Sequence, residues 1–285
     1  MFNSSSRLFA KMHLKVVYLL VSAGLLLAAP VALCVADGLA LTLASPTVLE
    51  ERLRAGEVPA RERQNVVARL FQQVGCQVTL QQIDKRSSNV VCNLAGETSA
   101  TIVVGAHFDF ADEGRGIVDD WSGASLLVSL YQTLKTDRPK HTYEFVAFAA
   151  EEGGLLGSSR YVKQLSAEQK ASTRAFINLE CLGLTSPKVW VHRSTPMLVD
   201  RLAEIATDAH ISLQGVNVEQ VGDDDTHPFL SKKIPVISIH SVTQETWGIL
   251  HSNRDNIDAI RPGDYYDAYR LVAFYLKYLD IRLPD

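Results

Sequence analysis

Two imidazoles and six carboxylates of this chain sit where they could hold a divalent metal and work beside it: His107, Asp109, Asp119, Asp120, Glu151, Glu152, Glu180 and His251. His107 and Asp109 end an apolar run (TIVVGAHFD) two residues apart, and extended backbone puts both on one side. Asp109 can then hold the second ring nitrogen of a ligating His107. On its own the pattern also describes a capping Asp beside a structural His. GIVDDWSG (116–123) sets two adjacent carboxylates before a helix start, where helix-capping anions are also found. FVAFAAEEGG (145–154) is more specific, because six apolar residues carry Glu151 and Glu152 into the end of a buried strand. One glutamate can bind metal while its neighbour faces the attacking water. Glu180 follows another apolar strand in INLECLG, and His251 lies in LHSNRDNID. Taken together, these positions offer two imidazoles and three carboxylates as ligands, with one spare glutamate as base.

Such a constellation needs a scaffold that brings distant segments together. Short apolar runs at 101–109, 141–152, 173–180, 188–192 and 234–240 alternate with amphipathic helical patterns at 122–137, 157–166 and 194–209. A final helix is expected from Pro262, with Tyr269, Val272, Leu276 and Leu279 on one face. Glu50–Gln73 is charged and helix-like, and the runs around Cys76 and Cys92 form a hairpin turning at DKRSS. Near-continuous apolar strands alternating with helices predict an α/β three-layer sandwich, whose central mixed, mostly parallel sheet is flanked by helices. The early hairpin adds antiparallel strands at an edge. Ligands of such sheets bind at the carboxyl ends of the strands, and three of the runs end in His107, the Glu151–Glu152 pair and Glu180. Residues 37–285 contain no internal repeat or dividing linker and are expected to form one domain.

The N-terminus has a different character. Val16–Ala36 is an uncharged apolar stretch preceded by Arg7, Lys11 and Lys15, which suits a signal peptide or an N-terminal membrane anchor over residues 1–36. A lipid-attachment role for Cys34 is disfavoured by the bulky Leu33 before it. The basic flank is expected to stay in the cytoplasm, which exports the remainder to the periplasm, to the medium or to a membrane-anchored position outside. Membrane contact is expected through this segment alone. The whole chain carries a formal charge of −4, and without the three N-terminal cations the exported part stands at −7. An acidic domain lacking basic runs with interleaved aromatics is not expected to bind nucleic acid. Export permits disulfides, and the hairpin predicts a Cys76–Cys92 bridge, with two buried free thiols as the alternative. Cys181 is left for packing.

In order and approximate spacing, HFD, GIVDDWSG, AFAAEEGGLLGS, INLECLG and HSNRDNID resemble metallopeptidase family 28, the co-catalytic zinc exopeptidases that include secreted bacterial aminopeptidases. The resemblance covers about residues 60–280. It implies a zinc peptidase domain with two Zn2+ per chain, a peptide substrate and aminopeptidase activity. Residue by residue, it implies His107 on one zinc and His251 on the other, with Asp119 bridging. Glu180 would be the terminal ligand paired with His107, and Glu152 the one paired with His251. Glu151 matches the general base, Asp109 the partner of His107, and Asp120 a structural residue after the bridge. The family usually has Asp where this chain has Glu180, and many members have His where Thr226 stands; Asp225 and Thr226 are read as residues of the site rim.

Two other readings stay open on the same fold: a glutaminyl-cyclase-like acyl transferase, which typically works with one zinc, and a membrane-associated scaffold without catalysis. The intact ligand set and base favour the hydrolase. His227 and His240 lie in the right part of the chain to stabilise an oxyanion, and Trp247 is a candidate wall of the substrate pocket.

Overall fold

The computed structural model describes residues 31–35, 39–111, 113–218 and 222–285, with the backbone alone at 31–35. In chain order the strands and helices are β1 (Val31–Val35), β2 (Leu39–Leu43), α1 (Pro46–Arg54), α2 (Ala60–Gln73), β3 (Val78–Gln82), β4 (Ser88–Leu94), β5 (Thr101–His107), α3 (Ser122–Leu134), β6 (Thr142–Phe148), α4 (Leu156–Gln164), α5 (Ala167–Ser172), β7 (Thr173–Leu179), β8 (Lys188–Val189), α6 (Pro196–Asp208), β9 (Gln214–Gly215), α7 (Thr226–Leu230), β10 (Val236–His240) and α8 (Pro262–Arg282). Most of the apolar segment Val16–Ala36 lies outside the described residues. Its portion Val31–Val35 pairs antiparallel with β2. Among the described residues no helix is long and apolar enough to cross a membrane.

Eight strands form one sheet in the order β3-β4-β6-β5-β7-β10-β8-β9. The four central strands, β6, β5, β7 and β10, run parallel. The β3–β4 hairpin joins antiparallel at one edge. Alternation along the central strands explains why they read as unbroken apolar runs. On β5, Ile102, Val104 and Ala106 pack into a large core shared with α1, α2, α3, α6 and α8, while Val103 faces a second core with Phe148, Tyr161, Phe176 and Phe229. Both faces are therefore covered, as a parallel sheet requires. Gly105 marks the tightest point of the second face: a Cβ there would lie 2.5 Å from the Phe148 ring and 2.7 Å from that of Phe176. Phe176 in turn stacks on Phe229 with 3.8 Å between ring centres.

Three departures from the sequence reading have local causes. The helical stretch 50–73 is two helices, because Pro59 lacks the N–H to continue one and instead precedes the first residue of α2. The run at 188–192 shortens to the two-residue β8, since the chain turns through a 3-10 turn at Val191–Arg193 that stacks the Arg193 guanidinium on Trp190 at 3.9 Å. The short α5 begins at a capping box formed by Ser166 and Gln169. Cys76 and Cys92 form a disulfide with their Cα atoms 6.1 Å apart, tying the end of α2 to β4.

Candidate active site

All four parallel strands point their carboxyl ends to the same edge of the sheet, and the acids and imidazoles gather there. His107 is the last residue of β5, Glu180 follows β7, and Glu151 and Glu152 stand three and four residues beyond β6. Asp119 and Asp120 come from a tight turn, Ile117–Trp121, that leads into α3 and contains a cis peptide between the two aspartates. His251 arrives from the loop before α8. The backbone is left-handed at Ala150, Cys181 and His251, with φ of 57°, 49° and 51°. Each lies at or next to a donor, and each costs on the order of 1 kcal/mol that the surrounding packing must offset.

Asp119 occupies the centre. Its Oδ1 lies 3.1 Å from His107 Nε2 and its Oδ2 lies 3.1 Å from His251 Nε2. Glu180 Oε1 flanks His107 at 3.4 Å, and Glu152 Oε1 flanks His251 at 3.2 Å. Glu151 Oε2 is 3.8 Å from His107 Nε2. Donor atoms of Asp119, Glu152 and His251 all lie within 4.8 Å of one another, and the same holds for His107, Asp120 and Glu180 and for Asp119, Glu180 and Cys181. Of the two aspartates near His107, Asp119 is the free donor. Asp120 Oδ1 already accepts the N–H groups of Gly123 (3.1 Å) and Cys181 (2.9 Å) and the Ser122 hydroxyl (3.3 Å). Its Oδ2 is buried without a partner.

Charge in this protein without metal follows from the same proximity. Burial works against a charged His107, yet Glu151, Asp119 and Glu180 outweigh it and hold its pKa well above the ordinary value. Hydrogen bonds to Asp119 and Glu152 raise His251 to about 10. Asp119 is held below the usual carboxylate range, since its two imidazoles outweigh its burial. Burial pushes Glu151 up to about 9, with Asp225 and Glu180 adding to the shift and His107 opposing it. The imidazoles thus take on positive charge to balance the carboxylates. A pocket whose acids recruit protons onto two histidines fits divalent cations in their place.

The surrounding residues fix this geometry. His107 Nδ1 lies 3.2 Å from the backbone carbonyl of Asp109, while the Asp109 carboxylate is 3.8 Å away. That carboxylate instead accepts the backbone N–H groups of Glu151 and Glu152. Asp255, to which the sequence reading gave no role, accepts the N–H groups of Val118 (2.7 Å) and Asp119 (3.3 Å). Arg63 is fully buried and donates to the carbonyls of Gly56, Phe108, Arg115 and Gly116 under the rings of Phe110 and Trp121. It staples the loop between His107 and Asp119.

In front of the donors lies a cavity of about 340 Å³, lined on its apolar side by Leu155, Trp190, Val218, Val242, Trp247 and Leu250. Neither histidine suggested for an oxyanion presents an unpaired ring nitrogen to the cavity. His240 lines the cavity, but its Nε2 pairs with the Val216 carbonyl and its Nδ1 accepts the N–H of Val242. His227 is exposed beside Asp223 at 3.2 Å. Asp225 and Thr226 lie deeper than a rim. Both are buried, Asp225 beside the Ser158 hydroxyl without a well-formed hydrogen bond, and Thr226 donating to Asp224.

The profile of peptidase family M28 matches residues 89–276, a span that contains every donor named above. The chain belongs to this family. An aminopeptidase of Pseudomonas aeruginosa is 35% identical over 88 residues, 31% of this chain and 16% of the relative's length. The M28 chain thus aligns with only a small part of that longer protein. Among solved structures, a zinc aminopeptidase from Bacillus subtilis superposes with a TM-score of 0.61 at 24% identity, over 67% of this chain and 49% of its own. A glutaminyl cyclase from an Acidobacteriales bacterium superposes with a TM-score of 0.69 at 17% identity, over 83% of this chain and 95% of its own. At these identities the likeness concerns the fold, which M28 peptidases and the cyclase share.

Proposed function

We propose that this chain is an exported di-zinc aminopeptidase that releases N-terminal residues from peptides. The observation that carries the reading is the division of Asp119 between two imidazoles, each flanked by its own glutamate. Zinc held by His107, Asp119 and Glu180, and by His251, Asp119 and Glu152, would polarise the scissile carbonyl and acidify a nearby water. The rest falls to the chain's own groups. Glu151 projects into the cavity without belonging to either ligand set and is positioned to take the water's proton and pass it to the leaving amine. Asp109 and Asp255 hold the backbones of Glu151, Glu152 and Asp119, so the donors need not reorganise during the reaction. The apolar wall excludes water and accepts the side chain of the substrate's first residue.

Two complete ligand sets favour hydrolysis over the one-zinc cyclase reading, and retention of every donor weighs against an inactive scaffold. Export is supported by the apolar segment behind a basic flank and by the Cys76–Cys92 disulfide, which persists in oxidising compartments. The deciding assay incubates the purified full chain with zinc and aminoacyl-nitroanilides. Hydrolysis that a chelator abolishes and zinc restores, with two zinc per chain, is the expected result. Cyclisation of glutaminyl peptides without anilide hydrolysis would replace this reading with the acyl-transferase one.

A further inference from the structure

Cys181 comes directly after Glu180 at the end of β7 and lines the same cavity. Among the described side chains it is the free thiol, and it is buried. Its backbone is held from both sides: the N–H donates to Asp120 Oδ1 at 2.9 Å, and the carbonyl accepts the N–H and the hydroxyl of Ser241. Its Sγ stands 3.4 Å from Glu180 Oε1, the oxygen that also lies 3.4 Å from His107 Nε2. Donor atoms of Cys181, Glu180 and Asp119 all lie within 4.8 Å of one another. A carboxylate oxygen and a thiolate on one tetrahedral zinc, with bonds of about 2.0 and 2.3 Å, stand about 3.5 Å apart.

A second observation calls for a cation at this spot. Asp120 is fully buried with its Oδ2 unpartnered, and its donor atom lies within 4.8 Å of those of His107 and Glu180. Glu180 therefore has buried carboxylates on two sides, and among the described residues no lysine or arginine lines the cavity to balance them. Resting on the di-zinc reading, we propose that Cys181 Sγ is a ligand of the metal ion on the His107 side. The thiol gives up its proton to solvent as the metal–sulfur bond forms. The two ions are then unlike. The one at His251, Asp119 and Glu152 has nitrogen and oxygen donors alone, whereas sulfur biases the other towards Zn2+, Co2+ or Cd2+ and against Mg2+ or Mn2+.

The test reads the metal–sulfur bond rather than turnover. The full chain carrying Cys34→Ser, with the Cys76–Cys92 bridge intact, keeps Cys181 as its sole free thiol. It is stripped with a chelator, loaded with Co2+ in the absence of reductant and followed by absorption. Bound Co2+ gives d–d bands in the visible, and a thiolate on it adds a sulfur-to-metal charge-transfer band in the near ultraviolet. The expected result is both sets of bands in this protein, with the near-ultraviolet band lost on adding Cys181→Ser. Because no other free thiol is present, the band before that substitution already identifies the ligand, whether or not the Ser variant folds. Visible bands without the near-ultraviolet one, or a near-ultraviolet band that survives Cys181→Ser, overturn the assignment of Cys181 and leave the di-zinc reading standing. A protein that takes up no Co2+ overturns that reading and this inference with it.

Discussion

The Asp109 carboxylate accepts the backbone N–H of Glu151 at 3.1 Å, and its second oxygen accepts that of Glu152 at 3.2 Å. One side chain at the end of β5 therefore sets the position of the proposed base and of a proposed ligand beyond β6. Asp109→Ala leaves both N–H groups without their acceptor and frees the loop to drift. Zinc affinity, measured by competition with a chromogenic chelator, is expected to fall about 10- to 100-fold, with a parallel loss of turnover. Unchanged affinity would restrict Asp109 to packing.

Glu151 makes its closest charged approach to His107 at 3.8 Å, longer than that of any of the three carboxylates assigned as ligands. Glu151→Gln keeps the shape and removes the proton acceptor. The variant should bind zinc as the parent does and lose about 10²- to 10⁴-fold in kcat with little change in KM. Near-normal turnover would take the role of base away from Glu151.

Asp255 joins the loop after His251 to the turn that carries Asp119. Its carboxyl is raised to about 6 by burial, which three backbone N–H groups partly offset. Asp255→Ala leaves the buried N–H groups of Val118 and Asp119 unpaired. The zinc-free protein should lose about 1–3 kcal/mol in urea unfolding. Zinc affinity should fall as well, because Asp119, the proposed bridging carboxylate, loses its backbone support.

How far the sequence reached depends on the range over which each role is set. The central sheet was legible because both its faces are buried, which leaves nearly unbroken apolar runs at β5, β6 and β7. His107, Glu151, Glu152 and Glu180 were legible because the same runs deliver them to one edge. Arg63 was not. Within a charged amphipathic stretch it reads as a solvated cation, and only the fold of the 108–116 loop over it, with the Phe110 and Trp121 rings, makes it a buried staple. Asp224 and Asp255 lie in acidic, polar loops whose pattern does not separate a buried acid from exposed ones. Asp109 was expected to hold a ring nitrogen with its carboxylate, but its backbone carbonyl stands closer, and that could not be read from residue types.

The Cys76–Cys92 disulfide closes a loop of 16 residues, for which the loss of unfolded-chain entropy corresponds to about 3 kcal/mol. Cys92 is fully buried against the main core, so its replacement must stay small. The Cys76→Ala/Cys92→Ala double variant should lose about that much stability by urea unfolding, and zinc binding should persist at low denaturant because the hairpin lies at the sheet edge. A reducing agent should reproduce the shift in the parent and leave the double variant unmoved.

His240 provides a pH dependence separate from the proposed metal donors. Burial lowers its pKa from 6.5 to about 4, with the Val216 carbonyl opposing and the charge of Lys188 adding to the shift. In the folded protein the ring is neutral, with Nε2–H donated to Val216 and Nδ1 accepting from Val242. Below pH 6.5 the unfolded chain takes up a proton that the folded chain refuses until about pH 4. Stability from this group is therefore complete above pH 6.5 and is lost as pH falls towards 4, to a total of about 3 kcal/mol. Urea midpoints of the zinc-free protein at pH 7 and pH 4.5 measure the slope. His240→Gln, which keeps a donor for Val216 but cannot take up a proton, should start lower at pH 7 and lose less between the two pH values. An equal loss in both proteins would assign the acid sensitivity to groups other than His240.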